Sequence, residues 1–169
     1  MTIPIIPCEG VRYGRPMRGG VLGSTEDPDA KAERPVDVLF YGSLNERRQK
    51  VLDELERRGL EVEVVSGAYG AELTPAIQRA KVVVHVHYYD SSLFPALRVL
   101  QPVAQGVPVV CERSVFSEWN DWAESGMVFA AYDSIADACA ELSQSPARAA
   151  EVAAKCWAFA QQMEMVGPA

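Results

Sequence analysis

The stretch VDVLFYGSLNERRQKVLDELERRG, residues 36–59, indicates the fold class of the chain. It begins with an apolar run that ends at Gly42, a pattern typical of a strand buried on both faces. Apolar residues at helical spacing follow Asn45, the predicted N-cap, and Gly59 ends that pattern. A buried strand that leads into an amphipathic helix predicts the first unit of an α/β domain.

The same alternation of apolar runs and amphipathic segments continues to the C-terminus. Further strands are predicted at LEVEVVSG, KVVVHVHYY, VPVVCER and MVFAAY. Further helices are predicted at ELTPAIQRA, SLFPALRVLQPVAQG, SEWNDWAESG, SIADACAELSQ and ARAAEVAAKCWAFAQQM. Strands that alternate with helices imply right-handed crossovers. We therefore predict a single Rossmann-like α/β domain with a mostly parallel five-stranded sheet, helices on both faces and two C-terminal helices.

The domain is predicted to span residues 35–169, after an irregular arm. Residues 1–34 are rich in glycine, proline and charge and show no steady period. Within the domain, Pro95 and Pro102 fall inside one predicted helix. Pro95 fits a first turn, whereas Pro102 predicts a kink or a split, because proline lacks an N–H group and clashes with the preceding turn.

The bulk composition excludes several classes of protein. A chain of 169 residues with 49% apolar and 23% charged residues is typical of one globular domain. It has no apolar run long enough to span a bilayer, and its start lacks the pattern of a secretory signal, so we expect a cytoplasmic protein. A net charge of -7 argues against nucleic-acid binding. Four scattered cysteines suggest buried thiols, and neither a zinc site nor a disulfide framework.

The candidate site lies where the predicted strands end. In an open parallel sheet, ligands bind beyond the carboxyl ends of the strands. The site residues predicted at these ends are Gly42, Ser43, Asn45, Arg47, His87, Tyr88, Ser92 and Glu112. The segment YGSLNERR offers a glycine, a helix N-terminus and guanidinium groups, which together suit a phosphate or diphosphate. The alternative is that Arg47 and Arg48 are ordinary surface residues.

Two histidines stand two positions apart on the third predicted strand, so their side chains share one face. No metal is expected, because no third ligand lies nearby. We expect His85 to be a hydrogen-bonded core residue. For His87, a core role and a contact with a ligand oxygen both stay open.

Arg98 interrupts the otherwise apolar pattern of the segment FPALRVLQPVA. A buried or half-buried arginine needs an anionic partner. Asp90, Glu112 and a bound phosphate are the predicted alternatives.

Three segments together resemble a known family. They are DVLFYGSLNERRQKVLDEL, RAKVVVHVHYYDSSLFPALRVLQPVAQGVPVVCERS and MVFAAYDSIADACAELSQSPARAAEVA. In this order they resemble the C-terminal half of GT-B glycosyltransferases, closest to the glycosyl-transferase-family-1-like group related to spore-maturation-type proteins. The resemblance implies a domain that binds a nucleotide-diphosphate sugar as donor, with no metal cofactor, and a hexosyltransferase type of activity.

The resemblance also implies individual roles. Counted back from Gly106, the position of the family's ribose-binding glutamate holds Gln101, and the position of its sugar-binding glutamate holds Leu93. Arg98 matches the arginine of the related R-V-F-E form. Arg98 and Gln101 thus join the candidate donor site, and no catalytic residue is assigned.

Two functions follow as hypotheses. In the first, the chain is the donor-binding half of a glycosyltransferase, which transfers a sugar only with an acceptor lobe from elsewhere. In the second, it is a non-catalytic ligand-sensing or protein-interaction module that kept the fold. Exposure of Phe116, Trp119 and Trp122 would favour a partner surface, whereas burial would make them core. A receiver-like domain is excluded, because no acidic cluster follows the first strand.

Overall fold

The structure is a computed structural model that describes residues 34–89, 94–113 and 122–165. The strands in these residues are β1 (Val36–Tyr41), β2 (Val62–Val65), β3 (Ala80–His85), β4 (Val109–Glu112) and β5 (Val128–Ala130). The helices are α1 (Glu46–Arg57), α2 (Thr74–Arg79), α3 (Ala96–Ala104), α4 (Ile135–Gln144) and α5 (Pro146–Met165). Short 3₁₀ turns precede α2 and α4, at Gly70–Leu73 and Tyr132–Ser134.

The five strands form one parallel sheet in the order β2-β1-β3-β4-β5. The predicted Rossmann-like fold and its parallel sheet are confirmed. The chain leaves β1 toward β2 and later returns to β3 on the other side of β1, so the strand order reverses between β1 and β3. In open α/β sheets such a switch point is where ligands bind. The register pairs Phe40 with Val84, which brings the carboxyl ends of these two strands side by side.

Helices cover both faces of the sheet, as predicted. Right-handed crossovers put α1 on one face and α2 and α3 on the other. The helix contacts agree, because α4 packs against α1 and α5 packs against α3. The core between these layers is apolar, and Leu52, Leu55, Val99 and Val103 are almost fully buried. The two predicted C-terminal helices are α4 and α5.

The first strand–helix unit forms as its local pattern predicts. Asn45 has extended backbone angles and its Oδ1 accepts a hydrogen bond from the N–H of Arg48 at 2.9 Å, so it is the N-cap. Gly59 adopts φ 78°, the left-handed conformation that follows many helix C-termini. On the helix surface, Arg58 Nε donates to Glu54 Oε1 at 2.8 Å.

Helix α3 runs through Pro102 without a break, so the predicted split is wrong. Pro102 cannot donate to the carbonyl of Arg98, four residues earlier. That carbonyl instead accepts a hydrogen bond from the Tyr41 hydroxyl at the end of β1. Pro95 immediately precedes α3, at its N-cap.

Several predictions fall wholly or partly outside the described residues. The N-terminal arm does so except for Arg34, whose Nη1 donates to the carbonyl of Ala80 at 2.9 Å. Of the predicted helix SEWNDWAESG, residues 122–124 form a single 3₁₀ turn. Trp122 is 4% exposed and packs against Phe94 and Phe159, so it belongs to the core. Phe116 and Trp119, whose exposure or burial was to decide between a partner surface and the core, lie outside the described residues.

Over the described part of the chain, no helix combines the length and the apolar character needed to cross a bilayer.

Candidate functional site

The loops that follow β1 and β3 meet at the carboxyl edge of the sheet. Asn45 Nδ2 donates to the carbonyl of Tyr88 at 2.7 Å, and Arg47 Nη1 donates to the carbonyl of His87 at 3.2 Å. The N-terminal turn of α1 is thereby held against the end of β3. The structure thus brings together the site residues predicted from two separate stretches of sequence.

Arg47 is held by an ion pair with Glu112 at the end of β4. The guanidinium contacts both carboxylate oxygens, with Nη1 at 2.7 Å from Oε2. Glu112 Oε2 also accepts the backbone N–H of His87 at 2.8 Å. The Tyr132 ring centroid lies 4.0 Å from Arg47 Cζ, and the Tyr132 hydroxyl donates to the Arg47 carbonyl at 2.7 Å. The pair therefore links α1, β3 and β4 at the carboxyl edge.

Glu112 is not the partner of Arg98, and that predicted alternative is wrong because Arg47 occupies the carboxylate. Asp90, the second alternative, lies outside the described residues.

Arg98 extends from α3 across the end of β1. Its Nη1 donates to the carbonyl of Tyr41 at 3.0 Å. Gly42 has φ 126°, and a Cβ atom there would collide with the Arg98 guanidinium, so glycine leaves the space that the arginine fills. Within the described part of the chain, Arg98 forms no ion pair. The result is a half-buried guanidinium at the switch point that still has donors to offer.

Arg48 was not among the predicted site residues, and it is 3% exposed. Its Nε donates to the carbonyl of Val86 at 2.9 Å and its Nη1 to the carbonyl of Ser43 at 2.6 Å. Its guanidinium carbon lies 5.1 Å from the Tyr88 ring centroid. Burial, followed by the charge of Arg98, lowers the pKa of this guanidinium. The alternative that Arg47 and Arg48 are plain surface residues is therefore wrong.

Helical spacing gives a signal for the burial of Arg48. Positions 48, 51, 52 and 55 fall on one face of a helix, and the last three hold Val51, Leu52 and Leu55. An arginine on that apolar face has to satisfy its donors inside the protein.

Both histidines are buried, and their rings meet edge to face with centroids 5.3 Å apart. Burial lowers the pKa of His85 well below its usual range, which keeps it neutral. Its predicted burial is confirmed, whereas its side chain makes no hydrogen bond with a described residue. Burial also lowers the pKa of His87, although the nearby Glu112 carboxylate opposes this. His87 is 2% exposed, and its Nε2 has no hydrogen-bond partner among the described residues. Its backbone carbonyl accepts a hydrogen bond from Arg47, and its backbone N–H donates to Glu112.

Gln101 lies on α3 and turns toward the loop that follows β2. Its Nε2 donates to the carbonyl of Gly70 at 2.8 Å and approaches Thr74 Oγ1 at 3.4 Å. The side-chain oxygen makes no hydrogen bond with a described residue. Ser92, the remaining predicted site residue, lies outside the described residues.

An open groove of about 700 Å³ lies beside the ion pair, on the α1 side. The residues that line it are Asn45, Glu46, Arg47, Lys50, Tyr132 and Asp133. Sequence reasoning missed Lys50, which lies within α1, and Tyr132, which follows β5 and is far from α1 in the chain. The described residues contain no cluster of three His, Cys, Asp or Glu side chains that could hold a metal ion.

Comparison with solved structures supports the fold. The crystal structure of TarM matches with a TM-score of 0.57 at 14% identity, over 76% of this chain and 32% of TarM. A structure of a TarM variant from S. aureus, in complex with fondaparinux, α-GlcNAc-glycerol and UDP, matches with a TM-score of 0.55 at 14% identity, over 76% of this chain and 33% of that one. At this level of identity the likeness concerns the fold.

Two mimivirus proteins are relatives in sequence. The Acanthamoeba polyphaga mimivirus protein "Uncharacterized protein L138" is 35% identical over 102 residues, which are 59% of this chain and 12% of the viral protein. "Uncharacterized protein L140" from the same virus is 28% identical over 104 residues, which are 60% of this chain and 34% of the viral protein. The chain thus spans a minor part of the length of both relatives.

A family model described as "Glycosyl transferase-like" matches residues 31–163 of the chain. This match covers both loops of the carboxyl edge and the described part of the sheet. The chain therefore belongs to the glycosyl transferase-like family.

Proposed function

We propose that this chain is the donor-binding half of a glycosyltransferase and binds a nucleotide-diphosphate sugar where β1 and β3 end. The observation that carries the proposal is Arg98, a guanidinium without an ion-pair partner among the described residues, held over Gly42 at the switch point of the sheet. A diphosphate supplies the anionic partner that such an arginine needs.

The charges around Arg98 suit a diphosphate. The Arg48 guanidinium lies near those of Arg47 and Arg98, and Arg47 is paired with Glu112. The carboxylates of Glu46 and Asp133 line the neighbouring groove on the α1 side. The N-terminus of the 12-residue helix α1 lies beside them and adds the positive end of a helix dipole. Stabilising the leaving diphosphate is a main task of catalysis in such a transfer, and fixed cations and amide dipoles perform it. We propose that Arg98, the neighbouring Arg48 and the helix N-terminus supply the positive charge, without a metal cofactor.

The other predicted site residues have subsidiary roles in this proposal. The backbone of Gly42 and Ser43 borders the diphosphate, while Asn45 and Tyr88 hold the two loops together. Gln101 contacts the ribose through its side-chain oxygen, because its amide group is already engaged with Gly70. Arg47, Glu112 and His87 support the site through their mutual contacts rather than through the ligand.

Transfer requires an acceptor lobe, which we propose is a second domain or a partner chain. The chain spans 12% of one viral relative and 34% of another, so these relatives have ample further sequence. Large apolar side chains are exposed on the loops and helix start at the carboxyl edge. They are Leu44, Tyr69, Tyr88, Tyr89 and Leu97. Exposed apolar surface of this kind is typical of a partner interface, and it surrounds the proposed donor site.

We further propose that the protein acts in the cytoplasm. Cys111, Cys139 and Cys156 are free and buried thiols. Free thiols are usual in reducing compartments, which supports this location.

Calorimetric titration with UDP and GDP, and with their common sugar conjugates, tests the proposal. UDP is the first choice because it is present in one of the matching TarM structures. We expect saturable binding that weakens roughly ten- to hundredfold in Arg98→Gln, since a charged hydrogen bond contributes about 1.5–3 kcal/mol. Arg79→Gln is the matched control, because Arg79 is an exposed arginine paired with Glu63 away from the site.

Equal affinity of Arg98→Gln and the wild type would refute the role of Arg98. Absence of saturable binding by the wild type at millimolar nucleotide would refute donor binding by this chain.

A further inference from the structure

We propose that Tyr41 is a positioning residue for Arg98: its hydroxyl replaces the backbone donor that Pro102 removes from α3, and this contact fixes the guanidinium over Gly42. The inference deepens the proposed function, on which its ligand readout rests. It adds a pair of residues, Tyr41 and Pro102, that neither the sequence patterns nor the family comparison assigns to the site.

The two side chains make a reciprocal contact between β1 and α3. The Tyr41 hydroxyl donates to the backbone carbonyl of Arg98, and Arg98 Nη1 donates to the backbone carbonyl of Tyr41 at 3.0 Å. Each residue thus uses its side chain to satisfy the main chain of the other, although 57 positions separate them in sequence. Such a closed pair holds the arginine at both its backbone and its side-chain end.

Pro102 creates the need for this contact. In a regular helix the N–H of residue 102 would donate to the carbonyl of residue 98, and proline has no N–H. A carbonyl freed in this way is costly when buried without a donor. The Tyr41 hydroxyl supplies the donor, and burial raises the pKa of Tyr41 above its ordinary value, so the hydroxyl stays protonated.

Tyr41 is well placed to fix the direction of the Arg98 side chain. It is the last residue of β1, and its Cα is in register with Val65 of β2. A side chain anchored in the sheet moves less than one on a loop. Because Gly42 follows directly, the same turn provides both the donor for α3 and the space that the guanidinium fills.

A double-mutant cycle with Tyr41→Phe and Pro102→Ala tests the inference. Tyr41→Phe removes only the hydroxyl, whereas Pro102→Ala restores the backbone N–H. We expect Tyr41→Phe to raise the unfolding equilibrium constant about two- to tenfold, the usual effect of one lost hydrogen bond. In the Pro102→Ala background the same change should have little effect, because the helix then supplies the donor.

Tyr132→Phe is the matched control. Its hydroxyl also donates to the carbonyl of an arginine, Arg47, at 2.7 Å. Pro102→Ala has no donor to offer that carbonyl, so it should not rescue Tyr132→Phe. Additive effects of Tyr41→Phe and Pro102→Ala on stability would overturn the inference.

The position of Arg98 is read without ligand from its Nε–Hε NMR signal, assigned by its loss in Arg98→Gln. We expect this signal to shift or broaden in Tyr41→Phe and to recover in the double variant. An unchanged signal in Tyr41→Phe would overturn the positioning role even if stability follows the expected cycle.

UDP titration of the same variants separates this inference from the proposed function. Weaker binding in Tyr41→Phe and recovery in the double variant would support both. If the wild type binds no UDP, the proposed function fails for UDP, while the stability cycle and the Nε–Hε signal still decide whether Tyr41 positions Arg98.

Discussion

Replacing Glu112 with alanine is expected to lower the free energy of unfolding by about 3 kcal/mol or more, the usual result of removing one partner from a buried ion pair. Glu112 and Arg47 have side chains only 7% and 18% exposed. The alanine would leave the Arg47 guanidinium without its carboxylate and the His87 N–H without its acceptor. Chemical denaturation followed by circular dichroism measures the loss.

Glu63→Ala is the control for this loss. Glu63 pairs with Arg79, whose side chain is 53% exposed, and a surface pair of this kind contributes about 1 kcal/mol or less. The double variant Arg47→Met with Glu112→Ala should regain part of the stability, because it also removes the largely buried guanidinium that contacts Glu112. A loss from Glu112→Ala no larger than that from Glu63→Ala would contradict the structural role given to this pair.

Gly42→Ala is expected to abolish most nucleotide binding, with affinity for UDP reduced roughly tenfold or more through the displacement of a charged hydrogen-bond donor. The added Cβ would collide with the Arg98 guanidinium and force it from the switch point. The backbone at φ 126° also disfavours alanine, at a cost of about 1–3 kcal/mol of stability. Calorimetry and denaturation on one preparation measure both effects.

Gly59→Ala separates the collision with Arg98 from the backbone strain that alanine causes at positive φ. Gly59 also has positive φ, at 78°, and a Cβ there meets nothing within 4 Å. This variant should lose stability and keep its affinity for UDP. If Gly42→Ala bound UDP as tightly as Gly59→Ala does, the claim that Arg98 must lie over Gly42 would be wrong.

Much of the fold follows from local patterns in the sequence. The first strand, the Asn45 cap of α1 and the end of that helix before Gly59 were predictable, because their signals lie within 24 residues. The alternation of strands and helices predicted the parallel sheet. The rule that ligands bind where parallel strands end placed the candidate site at the carboxyl edge of that sheet. These predictions needed no side-chain partner to be known.

The pairings within the site were not predictable in the same way. Arg47 and Glu112 stand 65 positions apart, and nothing in either local pattern indicates that they meet. The carbonyl of Arg98 that Pro102 leaves without a helical donor is bonded by the Tyr41 hydroxyl, which lies on another element. Such contacts arise only when the sheet order brings distant loops together, so a reading of local periods misses them.

The buried Arg48 is an intermediate case. Its position on the apolar face of α1 can be read from helical spacing. Its acceptors, the carbonyls of Ser43 and Val86, become apparent only once β1 and β3 lie side by side. The sequence therefore contains the signal for burial and not the identity of the partners.

In the proposed function, a nucleotide diphosphate binds at the carboxyl ends of β1 and β3. Backbone amide chemical shifts of the ¹⁵N-labelled chain, recorded during titration with UDP and with UDP-sugars, test it most directly. We expect saturable shifts that are largest at Gly42, Ser43, Tyr88 and Arg98, and small shifts at the opposite edge of the sheet, near Lys81. Largest shifts at that opposite edge, or no saturable shifts at millimolar ligand, would contradict it.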